Sequence, residues 1–343
     1  MSRVLITGGA GALGAAVARR LLADPAYDVR ISDRRQGPQW MREGCEMHRG
    51  DLRVRAQAAT AIKGCSHVIR LDHFVDDLDT GQSSAYSLFE YEAALHNSVI
   101  GAAVERGVAR LLYVSSPLVF ERAELFPTPE EHLDECLPPR SARGFAKLSG
   151  ERLCAAAHEQ HGLEYTICRP FGAYGPRTEQ HSLPEASSDA TAGTRQSPNT
   201  HANDLSKLID EAICGVQPLT IAGTGEQRLR PTHVDDLADG VVAALGSPAA
   251  ANEDFNLSSG QESTLTDVLS VAWQAGGGRL EDLALEHLPS GGSDVQRSLP
   301  AIGKVQELLG WRAQIELADG VAALAATARP GAPRALASAV AGR

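Results

Sequence analysis

The chain has 343 residues, 43% of them hydrophobic, and a formal net charge of −11. The apolar content excludes a wholly disordered chain, and no apolar run approaches the ~18 residues that a membrane helix needs, so we expect a soluble globular protein. The acidic balance disfavours a nucleic-acid partner, because phosphate binding requires a basic surface, and it favours a small polar molecule instead.

The start of the chain and its cysteines bear on compartment and metals. Met1-Ser2-Arg3 leads directly into an apolar run and leaves no room for a cleavable signal, so a cytoplasmic protein is expected. The six cysteines are scattered, with no CxxC pair and no histidine at ligand spacing. This pattern predicts reduced thiols and no metal site.

The first predicted element is a strand, Val4–Ile6, that runs into the glycine-rich turn Thr7–Gly14 and then into a helix. This order is typical of a dinucleotide-binding turn. The first glycine allows a sharp turn, the second lets the backbone approach a pyrophosphate, and the third lets helix and strand pack closely. The amides and the positive dipole end of the helix hold the phosphates. The residues expected to contact the dinucleotide here are Gly8, Gly11, Ala12, Leu13 and Gly14.

The second predicted strand, Val29–Ser32, ends at Asp33, nineteen residues after Gly14. A carboxylate at this place accepts hydrogen bonds from the ribose hydroxyls of the dinucleotide. Arg34 and Arg35 leave NADP as an alternative, since a guanidinium can bind a 2′-phosphate, but Asp33 repels that phosphate. We therefore expect NAD as the cofactor.

Apolar runs alternate with helix-like segments, which predicts an α/β fold: a Rossmann-type doubly wound parallel sheet with a smaller C-terminal α/β lobe. The predicted first domain, 1–177, binds the cofactor, and 178–202 is a polar loop that follows it. The second unit, 203–326, is a substrate-binding lobe whose later elements are free to return to the first domain, and 327–343 is a flexible tail. The remaining predicted strands are 67–71, 111–115, 165–169, 219–222 and 255–257, and the predicted helices are 88–106, 145–161, 234–245 and 264–274. After the polar loop, 204–214 is predicted to be ordered.

Several separated motifs occur in the order typical of a known family. They are the Thr7–Gly14 turn, Asp51-Leu52, Val114-Ser115-Ser116, Lys147-Leu148-Ser149-Gly150-Glu151, Arg169-Pro170-Phe171, Tyr174-Gly175-Pro176-Arg177, His233-Val234-Asp235-Asp236 and Leu309-Gly310-Trp311. Over about residues 1–325 the chain resembles the extended short-chain dehydrogenase/reductase family, in the NAD-dependent epimerase/dehydratase branch that acts on nucleotide sugars. The resemblance implies cofactor contacts from Asp51, Leu52, Leu71, Lys147 and Pro170.

The resemblance also implies a catalytic unit of a Ser or Thr at a strand end, with a Tyr and a Lys four residues apart on one helix face. The Tyr phenolate takes a proton from a sugar hydroxyl, while the Lys lowers the pKa of that phenol and holds the nicotinamide ribose. Ser116 and Lys147 match this unit, but Arg143 stands where the family has Tyr. A guanidinium stays protonated and offers only donors, so Arg143 cannot be the base.

Two further departures fall on the substrate side. Gly172 replaces the Asn that in the family holds the substrate diphosphate, and Leu229 aligns with the Arg that clamps it. Arg228 and Arg230 flank Leu229 but alternate to the other strand face. The cofactor side is therefore expected to be intact while the substrate or the reaction differs.

Asp72 and His73 are candidates for the missing base, because they follow a sheet strand at its carboxyl end, near the expected cofactor crevice. The alternative is that both are solvated loop residues or cap the next helix. Glu121 and Arg122 are weaker candidates, and an aromatic residue such as Tyr91 on an apolar helix is more often part of the core.

These patterns predict an NAD-dependent epimerase/dehydratase-type enzyme that oxidises a hydroxyl of a sugar or nucleotide-sugar-like substrate, with Ser116 polarising the oxygen, and Arg143 free to contact a phosphate or carboxylate. The alternative is a catalytically silent NAD-binding protein, in which Arg143 marks the loss of chemistry. The resemblance also implies a homodimer that pairs through helices 88–106 and 145–161.

Overall fold

The computed structural model describes residues 1–72, 85–176, 204–289 and 295–328. Its central feature is a parallel sheet of seven strands in the order β11-β6-β5-β4-β1-β2-β3. The strands are β1 (Ser2–Thr7), β2 (Tyr27–Ser32), β3 (Glu46–His48), β4 (His67–Arg70), β5 (Arg110–Val114), β6 (Glu164–Pro170) and β11 (Glu253–Leu257).

Helices cover both faces of this sheet, because its strands alternate apolar side chains to both sides. Along β1, Val4 and Ile6 point into one core and Leu5 into the other, and all three are fully buried. Helices α1 and α7 line the first core, and α3, α4 and α5 line the second. The helices around the sheet are α1 (Ala12–Leu22), α2 (Gln39–Gly44), α3 (Arg55–Ile62), α4 (Ala85–Arg106), α5 (Ala142–His161), α7 (Val234–Gly246) and α9 (Gly303–Leu309).

A smaller α/β lobe is built around an apolar cluster of its own, to which Tyr174, α6, α8 and α10 contribute. Its helices are α6 (Leu205–Ile213), α8 (Leu265–Ala275) and α10 (Leu317–Thr327). Its short strands are β7 (Ala173–Tyr174), β8 (Leu219–Ala222), β9 (Arg228–Leu229), β10 (Thr232–His233), β12 (Ser263–Thr264), β13 (Leu285–Leu288) and β14 (Arg297–Ser298).

The predicted α/β doubly wound class is confirmed, and the order of the predicted strands and helices is the observed one. The chain returns to the main sheet after the lobe begins: β11 pairs in parallel with β6, and α7 packs against α1. The predicted loop 178–202 lies outside the described residues, as do His73 and most of the tail. Among the described helices, none is long and apolar enough to cross a membrane.

A buried ion-pair network joins α5 to the edge of the sheet. The Arg169 guanidinium on β6 donates to both Glu151 carboxylate oxygens at 2.9 and 2.7 Å, and it also lies 2.8 Å from Asp254 on β11. Arg169 and Glu151 are almost fully buried. Removing the charge of Glu151 would leave Arg169 with the Asp254 carboxylate, which also pairs with Lys304, and an incompletely compensated charge is far more costly in the interior than in water.

We expect Glu151→Gln to lower the free energy of unfolding by about 3 kcal/mol, because Gln cannot neutralise the buried Arg169. Urea unfolding followed by circular dichroism measures this change. The control is Arg152→Gln on the same helix, whose partner Asp134 and own side chain are 76% and 58% exposed. This exposed pair should contribute less than about 1 kcal/mol. Equal losses in the two variants would contradict the assigned role of Glu151.

Candidate active site

One cavity of about 1000 Å³ runs along the carboxyl ends of the central strands. Such crevices are where open parallel sheets bind ligands. The glycine turn after β1 and the N-terminus of α1 form its floor, and residues that follow β2 lie at one end. Residues of α4, α5 and the segment after β5 line the other end, close to β7 of the lobe.

The glycine turn has the geometry of a phosphate cradle. Gly8 has a φ of +66°, and a Cβ there would lie 2.8 Å from the Asp72 Cα, while a Cβ at Gly14 would lie 2.6 Å from the Gly9 Cα. Side chains are therefore excluded at both positions. Helix α1 has Gly11 as its N-cap and no side-chain cap, so its first amides face the cavity and can bind an anion. These residues fit a dinucleotide.

Asp33 lies at the end of the cavity where a ribose is expected, and it is 9% exposed. One carboxylate oxygen accepts the Ala10 amide at 2.9 Å, and the other accepts the Arg35 amide at 2.9 Å. The Arg35 guanidinium also lies beside Asp33, with Nε–Oδ1 at 3.2 Å and Nη2–Oδ2 at 3.3 Å. The charge of Asp33 is thus partly offset by Arg35.

Asp51 and Arg53 also line this cavity. The Arg53 guanidinium pairs with Asp51, which holds the pKa of that carboxyl below its usual value, and it also stacks 4.7 Å from the centre of the Tyr91 ring. Burial raises the pKa of the Tyr91 hydroxyl, despite a hydrogen bond with Arg34. Tyr91 therefore belongs to this end of the cavity.

Three side chains from two segments form the wall at the other end: Ser116, Arg143 and Lys147. Ser116 caps a short 3-10 turn, and its Oγ accepts the Leu118 amide at 3.2 Å, so its hydroxyl proton remains available to donate. Arg143 and Lys147 are one turn apart on α5, and therefore share a face of that helix.

The close packing of α5 on β5 places Lys147 under the cavity. A Cβ at Gly150 would overlap the Tyr113 hydroxyl, so only glycine permits this approach. Lys147 is 7% exposed, and its Nζ donates to the Val114 carbonyl oxygen at 3.3 Å. The Nζ also lies 5.4 Å from the centre of the Tyr113 ring.

A buried charge network extends from Lys147 to the cofactor side. Arg70 is fully buried at the end of β4, with Nη2 3.3 Å from a Glu92 carboxylate oxygen and Nε 3.7 Å from Asp72. Thr7 donates its hydroxyl to the same Asp72 oxygen. The pKa of Arg70 is raised, because these carboxylates outweigh the effect of burial. Arg70 therefore stays a cation.

The balance of these charges lowers the pKa of the Lys147 ammonium. Burial is the largest cause, and the positive charges of Arg70 and Arg143 act in the same direction, whereas Glu92 and Asp72 oppose it. Lys147 is thus a buried amine whose charged form is opposed by two cations and favoured by two anions.

The structure brings all the described residues of the predicted site to this one cavity, including Leu52, Leu71, Pro170 and the five residues of the glycine turn. Glu121 is directed elsewhere, since its carboxylate accepts the Arg140 and Ser141 amides at the start of α5. Sequence reasoning missed Glu92 and Arg53. Glu92 carried a detectable signal, because an acid among the apolar residues of α4 needs a buried cation.

Gly172 and Leu229, which the resemblance places at the substrate diphosphate, pack against other parts of the protein. A Cβ at Gly172 would overlap the Arg230 carbonyl oxygen, so the backbone of 230–231 fills that space. Leu229 packs against the apolar cluster of the lobe. Arg228 pairs with Glu262, and the Arg230 guanidinium donates to the Pro300 carbonyl oxygen at 3.0 Å.

The sheet, the glycine cradle and the crevice define a Rossmann-type dinucleotide-binding protein. The model of the NAD dependent epimerase/dehydratase family matches residues 4–258, and the chain belongs to this family. It is 27% identical over 336 residues to UDP-glucuronic acid decarboxylase 1 of Xenopus tropicalis, covering 93% of this chain and 70% of that protein. It is 26% identical over 327 residues to UDP-glucose 4-epimerase of Mycolicibacterium smegmatis, covering 93% and 96%.

Two solved structures share the fold. The UDP-glucose 4-epimerase of Thermotoga maritima superposes with a TM-score of 0.77 at 21% identity, over 94% of this chain and 97% of that one. A dTDP-glucose 4,6-dehydratase of Streptomyces venezuelae, solved with NAD bound, has a TM-score of 0.77 at 22% identity, over 94% and 96%.

We expect the protein to bind NAD more tightly than NADP, because the Asp33 carboxylate can accept ribose hydroxyls but repels a 2′-phosphate. Titration calorimetry with both cofactors measures the preference. Asp33→Asn removes the repulsion and should narrow the difference. A tenfold preference for NADP, about 1.4 kcal/mol in the opposite direction, would mean that Arg34 or Arg35 governs the site.

Proposed function

We propose that this protein is an NAD-dependent enzyme that oxidises, transiently or in a net reaction, a hydroxyl of a sugar or nucleotide-sugar-like substrate. The observation that carries the proposal is the continuity of one cavity from the glycine cradle to Ser116 and Lys147. A dinucleotide held by its phosphates at α1 and by its ribose at Asp33 would extend along this cavity toward those two side chains.

Each group in the proposed site has a distinct role. When bound, NAD supplies the hydride acceptor. The Ser116 hydroxyl donates to the substrate oxygen at which charge develops, and the fixed backbone of its 3-10 turn orients it. Lys147 lies where the nicotinamide ribose is expected, and Arg143 presents guanidinium donors to the substrate.

The relatives support a nucleotide-sugar substrate, since their names include a UDP-glucuronic acid decarboxylase and a UDP-glucose 4-epimerase. The chain departs from the family at the expected diphosphate contacts, because Gly172 and Leu229 cannot donate hydrogen bonds from side chains. We therefore propose a substrate that is sugar-like and polar, but held differently at its diphosphate or lacking one.

A catalytically silent NAD-binding protein is the second candidate. Arg143 favours it, because the guanidinium cannot take the proton that a tyrosine phenolate takes. The Ser116 hydroxyl favours the enzyme, because capping the 3-10 turn uses only its oxygen as an acceptor and leaves its proton available in the cavity.

The two candidates predict different spectra. The NAD-loaded protein, mixed with a panel of nucleotide sugars, uronates and polyols, should develop the absorbance of reduced nicotinamide with at least one substrate. Ser116→Ala should slow this reaction by about 10²-fold, as expected on losing an oxyanion donor, without changing NAD affinity. Tight NAD binding with no reduction across the panel would favour the silent protein.

We also propose a homodimer formed through α4 and α5. Two aromatic side chains on these helices are exposed and contact each other, with the Phe89 and Phe145 ring centres 5.9 Å apart, and Tyr86 is 75% exposed one turn away. Val99 and Ala103 are also apolar residues of α4, but they are fully buried inside the core of this chain and cannot form the interface. The aromatic patch of Tyr86, Phe89 and Phe145 is thus the apolar part of the proposed interface.

Light scattering at micromolar concentration should give twice the mass of one chain. Phe145→Asp, which places a charge on the aromatic patch, should shift the protein toward the monomer. The control is Leu280→Asp, which places the same charge on an apolar side chain of the lobe that is 51% exposed and lies outside α4 and α5. A monomeric protein before substitution would contradict the proposal.

A further inference from the structure

We infer that the amine of Lys147, rather than a tyrosine phenolate, accepts the proton from the substrate hydroxyl. This inference rests on the proposed function, because it assigns the base of the proposed oxidation. Arg143 then acts as the fixed cation beside the base. The roles of cation and base are therefore exchanged relative to the Tyr and Lys of the family resemblance.

The position of Lys147 suits it to this role. Its side chain is part of the cavity wall, on the same face of α5 as Arg143 and in the same cavity as Ser116. The Nζ makes one hydrogen bond to the Val114 carbonyl oxygen, at 3.3 Å. A neutral amine can keep this bond through one N–H and still offer its lone pair to a second proton donor.

Charged side chains act on Lys147 from the neighbouring elements and from its own helix. Arg70 and Asp72 face it from the end of β4, Glu92 from α4 and Arg143 from α5. The Tyr113 ring of β5 lies against it. Arg143 cannot lose its proton, so its repulsion of an ammonium on Lys147 is permanent, and it acts together with burial to favour the neutral amine.

The neighbouring carboxylates already neutralise a buried guanidinium. Asp72 accepts the Thr7 hydroxyl and lies beside Arg70, and Glu92 pairs with Arg70. Protonating either carboxylate would remove countercharge from a guanidinium that is fully buried, which is costly. Protonating Lys147 instead places a new cation next to these two anions.

The step balances with NAD as the oxidant. The substrate O–H bond breaks and its proton forms an N–H bond on Lys147, while the C–H bond breaks and its electron pair leaves as hydride to the nicotinamide ring. A carbonyl on the substrate and an ammonium on Lys147 remain. Ser116 donates a hydrogen bond to the oxygen throughout.

The titration of Lys147 can be measured without any substrate. Trace labelling with acetic anhydride over a range of pH, followed by peptide mass spectrometry, reports the neutral fraction of each amine. Lys63, an exposed lysine of the same chain, is the internal reference. We expect the labelling midpoint of Lys147 to lie below that of Lys63, because burial and the neighbouring cations favour the neutral amine.

Substitutions of the facing charges should move this midpoint in opposite directions. Arg143→Gln removes a cation and should raise the midpoint, whereas the control Arg143→Lys retains the charge and should leave it nearly unchanged. Asp72→Asn removes an anion and should lower it. Glu92→Gln should do the same, and Asp72→Asn keeps the test valid if Glu92→Gln does not fold.

The rate of NAD reduction should rise with pH through the same midpoint, because the neutral amine is the active form. Its acidic limb should shift to higher pH in Arg143→Gln and to lower pH in Asp72→Asn, and Lys147→Met should lose reduction at every pH. A Lys147 midpoint at or above that of Lys63 would overturn the inference, even in a protein that reduces NAD. The inference would also be overturned if Asp72→Asn or His73→Ala lost NAD reduction at every pH while the titration of Lys147 stayed unchanged.

A failure of the proposed function gives a different result. In that case no member of the substrate panel produces reduced nicotinamide, at any pH and in any variant, whatever the labelling midpoint of Lys147. The labelling experiment and the spectral experiment therefore test the two proposals separately.

Discussion

The buried guanidinium of Arg70 constrains the site more than any other group. Moving this charge out of water costs several kcal/mol unless anions compensate it, and here Glu92 and Asp72 do so at 3.3 and 3.7 Å. These contacts tie α4 to the end of β4, and the Thr7 hydroxyl extends them to the glycine turn after β1. The same buried contacts therefore connect the glycine cradle with the part of the cavity wall that carries Lys147.

In the proposed site, Arg143 stands where the family resemblance implies a tyrosine. A tyrosine beside a lysine makes a pair in which the cation promotes ionisation of the phenol, but two cations one turn apart repel each other. On the substrate side of the proposed site, the backbone at Arg230 closes the space next to Gly172, and Leu229 packs into the lobe. In the glycine cradle, by contrast, close backbone packing at Gly8 and Gly14 excludes side chains.

Much of the fold could be predicted because its signals are local or repeated. Strands buried on both faces appear as apolar runs, and β8 (Leu219–Ala222) has the predicted bounds. The predicted end of α5 at His161 is also observed, and Gly162, which follows it, has a φ of +72° that suits glycine. A strand was predicted at 255–257, but its place in the main sheet, as β11, was not. The position of a strand within a sheet depends on pairing partners far away in sequence, here β6.

The sequence by itself determined the glycine cradle, the acid after β2, and the placement of Arg143 and Lys147 on one face of α5, because each depends on spacing within a single element. Only the tertiary structure decided which distant charges meet. Glu92 and Arg70 are far apart in the chain but form one pair, and Glu121 turns to the start of α5 instead of the cavity. The reason is that the packing of several elements determines which partner a buried charge meets, and local sequence patterns do not contain that information.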